Sequence, residues 1–163
     1  MRLSLVVSFK NEEDNLPELI KRTRIALKGK CDLEMIFVND ASTDSSLEVL
    51  RAHLSGGDVR IVNTSRSFGH GPCLYAGLRH ATGDAIVYID ADLQDPPEMI
   101  PLLIEEHQRG GYDVVMTRRK AREGETWLKI FITKLAYRFL HRAAPNIFIE
   151  NAGDFRLISR RVV

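Results

Sequence analysis

Short β-branched and apolar runs alternate along this chain with stretches of helical periodicity, a pattern that points to parallel strands joined by crossover helices. Leu3 to Phe9 reads as a buried strand. Asn15 and Pro17 open a helix whose Leu16, Leu19, Ile20, Thr23 and Leu27 share one face. Leu33 to Val38 is the next strand, followed by the polar loop Asn39 to Asp44. A helix then turns Leu47, Leu50 and Leu54 inward and is predicted to end at Gly56-Gly57. Val59 to Asn63 reads as a strand, and Gly69 to Pro72 start a helix carrying Leu74, Leu78 and Ala81. After the strand Ala85 to Ile89, Pro96-Pro97 begins a helix predicted to bury Met99, Ile100, Leu103 and Ile104. Gly110-Gly111 closes it ahead of a strand from Asp113 to Thr117. The order predicts a doubly wound, mostly parallel α/β sheet, in which ligands sit beyond the carboxyl ends of the strands. Asp40, Asp90 and Asp92 fall at such ends.

Residues 1–163 suit one domain, since roughly 100–200 residues per domain is usual. With 23 Lys plus Arg against 22 Asp plus Glu, no strong field exists to gather nucleic acid, so a charged partner must be met locally. Cys31 and Cys73 stand far apart and outside any C-x-x-C pattern, which fits free thiols in a reducing compartment. No run of about 18 apolar residues occurs, so the chain as given is expected to have no transmembrane segment of its own.

Chemistry concentrates in Asp90-Ala91-Asp92-Leu93-Gln94-Asp95, directly after the run Val87-Tyr88-Ile89. Carboxylates this dense repel one another unless something positive joins them. Oxygen-only ligands at a partly open site suit Mg²⁺ or Mn²⁺, which keep waters and bridge to substrate phosphates. The Asp90 and Asp92 carboxylates are the candidate metal ligands, and a diphosphate-bearing ligand follows. The ordinary alternative is a loop in which Asp92 or Asp95 caps the next helix. Asp40 is a second candidate: a carboxylate there can accept the imide N–H of uracil or the N–H pair of guanine, so it leaves UDP and GDP both open. An Asx turn or helix cap made by Asp40 or Ser42 is the structural alternative.

Phe37 to Asp44 (FVNDASTD), Arg66 to His70 (RSFGH), Ala76-Gly77-Leu78, Ile89 to Glu98 (IDADLQDPPE) and Gly153 to Arg156 (GDFR) together resemble the family 2 glycosyltransferases. The resemblance is closest to polyprenyl-phosphate glycosyltransferases and dolichol-phosphate mannose synthases, and it runs over nearly the whole chain. It implies a GT-A fold, a nucleotide-sugar donor, a divalent metal and inversion at the anomeric carbon. It further implies that Asp90 and Asp92 lie at the donor phosphates, with Asp92 and Gln94 closest to the metal. Glu12 resembles the family's acidic residue near the nucleoside, and Ser42 belongs with Asp40 to the nucleotide side. The chain departs from the family pattern at Ser8, Lys10 and Ser67, where Pro, Tyr and Asn are common.

On the acceptor side, Arg118 to Arg122 is basic, and Trp127 to Arg142 reads as a helix. At about 100° per residue, Lys134, Arg138 and Arg142 form one stripe flanked by Trp127 and Phe131, suited to a headgroup surface, while Lys129 and Thr133 share another face. Arg119, Lys129 and Thr133 are expected to hold an acceptor phosphate. Lys129 and Thr133 stand where relatives using polyprenyl phosphate tend to have Arg and Ser. Asp154 is the candidate base for a hydroxyl acceptor, or a positioning group for a phosphate acceptor, which needs little base help. Its structural alternative is a turn residue opening a strand from Phe155 to Ile158.

These residues predict an inverting transferase at the cytoplasmic face of a membrane, using a nucleotide sugar, UDP-sugar favoured, and a polyprenyl phosphate. Self-association is left open. Transfer to a sugar hydroxyl in polysaccharide or glycolipid synthesis, a sugar nucleotidyltransferase, and an inactive nucleotide-sugar-binding fragment are the competing readings. Relatives of this type generally continue further, often into interfacial or transmembrane helices, so the catalytic domain is expected to be truncated at its C-terminal end.

Overall fold

The computed structural model describes residues 1–118 and 152–163, and within them strands and helices alternate. They are β1 (Arg2–Phe9), α1 (Leu16–Leu27), β2 (Asp32–Asn39), α2 (Ser46–Arg51), β3 (Val59–Asn63), α3 (His70–His80), β4 (Ala85–Asp90), α4 (Ile100–Gly110), β5 (Val114–Arg118) and β6 (Ala152–Ser159). The strands form one sheet in the order β3-β2-β1-β4-β6-β5. β1 runs parallel to β2 and β4, β2 runs parallel to β3, and β6 is antiparallel to β4. Met1–Met116 and Asp154–Val163 make one compact unit; Thr117–Gly153 is a second, most of it outside the described residues.

Strand alternation gives the sheet two buried faces, as a covered parallel sheet requires. Leu3, Leu5, Val7, Met35, Phe37, Val87 and Ile89 pack with α1 and α4 through Leu16, Leu19, Ile20, Ile100, Leu103 and Ile104. Val6, Ile36, Val38, Ile86 and Tyr88 turn the other way, against Cys73 of α3. All five inward residues read for α1 are buried. Leu50 is buried as expected, but Leu54 is 42% exposed, because α2 stops at Arg51 and Leu54 begins a separate 3₁₀ turn. Met99 is likewise 38% exposed: Pro97–Met99 is 3₁₀, whose tighter winding shifts Met99 off the buried face of α4. On α3 the inward positions are Cys73 and Gly77, with Leu74 and Leu78 only half-buried. At Gly77 a Cβ would collide with the Val6 side chain and come within 3.2 Å of Val38 Cγ2, so the missing side chain lets α3 approach the sheet.

The amino end of the sheet is closed by Glu34, 3% exposed. Its Oε1 accepts from Ser4 Oγ at 2.5 Å and from the backbone N–H and Oγ1 of Thr82 at 2.6 and 2.7 Å, and Arg2 reaches Oε2 at 3.2 Å. Burial favours the neutral acid, but these donors outweigh it and hold the Glu34 carboxyl below the ordinary glutamate range.

Candidate active site

At the carboxyl ends of β1, β2 and β4 lies a cleft of about 250 Å³ lined by residues that include Glu12, Asp40, His70, Asp90 and Asp92. This is where open α/β sheets place their ligands. Three non-glycine residues of the described chain have left-handed backbones, Asn11 (φ 59°), Ala41 (φ 55°) and Leu93 (φ 59°), and each sits in the loop that follows one of those strands. Such conformations persist only where surrounding contacts over-determine them, and they gather at functional sites.

The contacts that hold the first two loops are visible. Asn11 N–H donates to Ser42 Oγ at 3.0 Å, Thr43 N–H to Asn11 Oδ1 at 2.8 Å, Glu12 N–H to Ser46 Oγ at 2.9 Å, and Ser45 N–H to Glu13 Oε2 at 2.7 Å. Ser42 N–H in turn donates to Asn39 Oδ1 at 2.9 Å. Ser42 thus stitches loops together and is absent from the cleft lining. Glu12 lines the cleft, and its carboxylate accepts from Asn15 Nδ2 at 2.7 Å.

Asp40, only 7% exposed, accepts from Ser67 Oγ at 2.7 Å, Phe68 N–H at 2.7 Å and Gly69 N–H at 3.1 Å. Burial opposes its charge, but these bonds and the neighbouring Cys73 thiol prevail and hold its pKa down to about 2. The converse pressure, burial beside that carboxylate, pushes the Cys73 thiol up to about 11. Asp40 is therefore an anion that clamps the turn at the start of α3, where Gly69 takes φ 85°. The Ser67 hydroxyl also receives Lys10 Nζ at 3.2 Å, so Lys10 brings a positive charge to the cleft wall.

Asp90 and Asp92 both line the cleft. Asp92 Oδ1 accepts the Gln94 N–H at 3.0 Å, a turn that leaves both side chains exposed at the rim, and Gln94 is not among the lining residues. No cluster of three His, Cys, Asp or Glu side chains able to cage a metal occurs among the described residues. Asp90 and Asp92 on one cleft wall offer the carboxylate oxygens that Mg²⁺ or Mn²⁺ takes when substrate phosphates and waters supply the remaining ligands, so the residues present are compatible with such an ion.

Tyr88, His70, Ser8 and Lys10 were not read as site residues from the sequence. Strand register brings in Ser8 and Tyr88, the start of α3 brings in His70, and Lys10 follows directly on β1; the only sequence sign of His70 is its place in the RSFGH stretch. Asp154 falls within β6 and not in a turn before it, and its side chain lies outside the described residues. Arg119, Lys129, Thr133 and the helix read over Trp127 to Arg142 also lie outside them. No helix among the described residues is long and apolar enough to cross a membrane.

Residues 4–163 match the family model Glycosyl transferase family 2. The uncharacterized glycosyltransferase sll0501 of Synechocystis is 44% identical over 165 residues, covering 100% of this chain and 52% of that protein. A prophage bactoprenol glucosyl transferase homolog of Escherichia coli is 43% identical over 166 residues, covering 100% and 54%. The chain thus spans about half the length of these relatives. Among solved structures, glucosyl-3-phosphoglycerate synthase of Mycobacterium tuberculosis, in complex with Mn²⁺, UDP-glucose and phosphoglyceric acid, superposes with a TM-score of 0.72 at 26% identity, covering 98% of this chain and 57% of that one. The mostly parallel sheet with its helices is the GT-A fold of these structural neighbours.

Proposed function

The chain belongs to glycosyltransferase family 2, and from that premise we propose that residues 1–163 are the catalytic domain of an inverting, metal-dependent enzyme moving a sugar from a nucleotide sugar to a polyprenyl phosphate. The observation that carries this reading is the convergence of Asp90, Asp92, Asp40 and Glu12 on one cleft at the carboxyl end of the sheet. Bactoprenol in the names of several relatives supports the acceptor, and the neighbour crystallised with Mn²⁺ and UDP-glucose supports a UDP-sugar and a divalent cation.

In this reading Asp90 and Asp92, with Gln94 beside them, would hold Mg²⁺ or Mn²⁺, which when bound supplies charge neutralisation to the diphosphate leaving group. Glu12, Asp40 and the loops joined by Ser42 shape the nucleoside end. Asp40 already carries three donors, so of the roughly four lone-pair positions of a carboxylate few remain for a base N–H. Its main service is to hold the 67–69 turn against the cleft. A phosphate monoester acceptor is ionised near neutral pH, so the chain must align two anions and stabilise the departing one. Arg119, Lys129 and Thr133 are assigned to the acceptor phosphate, and Asp154 to positioning the donor sugar. A lipid acceptor would bring the enzyme to a membrane surface, and the proposed nucleotide-sugar donor favours the cytoplasmic face.

A thermal-shift panel of UDP- and GDP-sugars, with and without Mn²⁺, tests the donor, since a ligand bound to the native state raises apparent stability. Asp92→Ala is expected to abolish the Mn²⁺-dependent shift, and its survival overturns the reading. Transfer of radiolabelled sugar into an acid-labile lipid phosphate tests the acceptor. Arg119→Ala and Lys129→Ala are expected to weaken acceptor binding, and unchanged affinity in both removes them from that role.

A further inference from the structure

Tyr88 is 3% exposed on the α3 side of β4, yet its hydroxyl is the meeting point of three residues of the cleft. It donates to Asp90 Oδ1 at 2.8 Å, stands 2.9 Å from Ser8 Oγ, and lies 2.9 and 3.0 Å from the two ring nitrogens of His70. A phenol has one proton to give and two lone pairs with which to receive. With that proton directed at Asp90, both other partners must act as donors, Ser8 through its hydroxyl and His70 through a ring N–H. The His70 ring stands edge-on to Tyr88, centroids 5.2 Å apart at 86°, which braces the arrangement by packing as well as by hydrogen bonding.

Register creates this hub. Val6 pairs with Tyr88 and Ser8 with Asp90 across β1 and β4, so Ser8, Tyr88 and Asp90 project to the same face of the sheet. His70, the first residue of α3, enters from the helix packed on that face. Asp90 ends its strand with a side chain 34% exposed, where the carboxylate torsion is otherwise broad. The bond from a buried phenol fixes one oxygen, and among the described residues the other accepts no hydrogen bond.

We infer that Tyr88, backed by His70 and Ser8, is a positioning residue that sets the orientation in which Asp90 meets a divalent cation. This rests on the reading of Asp90 as a donor-site carboxylate. Tyr88 is too buried to reach a ligand and acts through Asp90. Partners that orient a metal-binding carboxylate typically cost about 10- to 100-fold in metal affinity when removed.

Calorimetric titration of Mn²⁺ into the full chain in the presence of UDP tests this, with Tm measured for every variant. Tyr88→Phe keeps the ring in its packing and removes only the hydroxyl. It is expected to weaken Mn²⁺ about 10- to 100-fold while Tm stays within about 4 °C of wild type. His70→Leu is expected to weaken Mn²⁺ as well, and His70→Gln, which retains an N–H donor, to lose less than His70→Leu. Unchanged Mn²⁺ affinity in Tyr88→Phe overturns the inference, and so does a loss accompanied by a larger fall in Tm, which makes the hub structural. A wild-type chain that takes up no Mn²⁺ with UDP refutes the donor-site reading itself, and the inference falls with it; binding by wild type and by Tyr88→Phe alike refutes the inference alone.

Discussion

The Ser67 hydroxyl donates to Asp40 Oδ2 at 2.7 Å, from a turn 27 residues further along the chain. Together with the Phe68 and Gly69 N–H groups it keeps Asp40 ionised down to about pH 2. Ser67→Ala removes one donor, so the Asp40 pKa is expected to rise toward its unfolded value of about 3.9. A group whose folded pKa is depressed adds stability above its unfolded pKa and loses it as pH falls through the folded one. The stability gap between wild type and Ser67→Ala should therefore be largest above about pH 4 and shrink toward pH 2. Carboxyl NMR titration and urea denaturation across that range measure both effects.

At the other end of the sheet, Glu34→Gln keeps a carbonyl oxygen for the donors of Ser4 and Thr82, but in place of Oε2 it turns an N–H₂ toward the Arg2 guanidinium, which is left without its acceptor. A loss of about 1–3 kcal/mol is expected, the usual cost of leaving buried polar groups unsatisfied. Because the folded Glu34 pKa is depressed, wild-type stability here is present above the ordinary glutamate pKa and declines as pH drops below it. Chemical denaturation at pH 7 and at pH 4 checks both statements.

Ala41 holds φ 55°. Glycine adopts this region freely, whereas an L-residue pays about 1–2 kcal/mol there. Ala41→Gly also loosens the unfolded chain, which returns about 0.4–1 kcal/mol to the opposite side. A net gain of roughly 0.5–1 kcal/mol in unfolding free energy is expected.

Gly77→Ala should destabilise, although alanine is the better helix former by about 1 kcal/mol. The added methyl runs into Val6, and overpacking of this kind costs about 1–3 kcal/mol. A companion Val6→Ala substitution is expected to recover part of the loss, measured as a coupling in a double-mutant cycle.

Periodicity made the strands and α1 legible, because burial of whole faces leaves a repeating mark in the sequence. Leu54 and Met99 escaped that logic, since the turns carrying them wind as 3₁₀ and break the phase. Gly77 escaped it for the reverse reason: a close helix approach selects for no side chain, which a hydrophobic pattern cannot register. The acidic residues of the cleft were legible by their place after strands. The Tyr88 hub and the donors to Asp40 were not, because they depend on which residue of β1 faces which residue of β4, and on a turn that folds back across the sheet.

Asn11, Ala41 and Leu93 give the molecule a polarity in how it tolerates change. Conformational tension is gathered at one end of the sheet, and at the opposite end, where Glu34 is buried and hydrogen-bonded, no non-glycine residue among those described takes a left-handed backbone. Rigidity can therefore be added beneath the sheet without redrawing the cleft. Relaxing the loops above it alters the very contours a ligand must match.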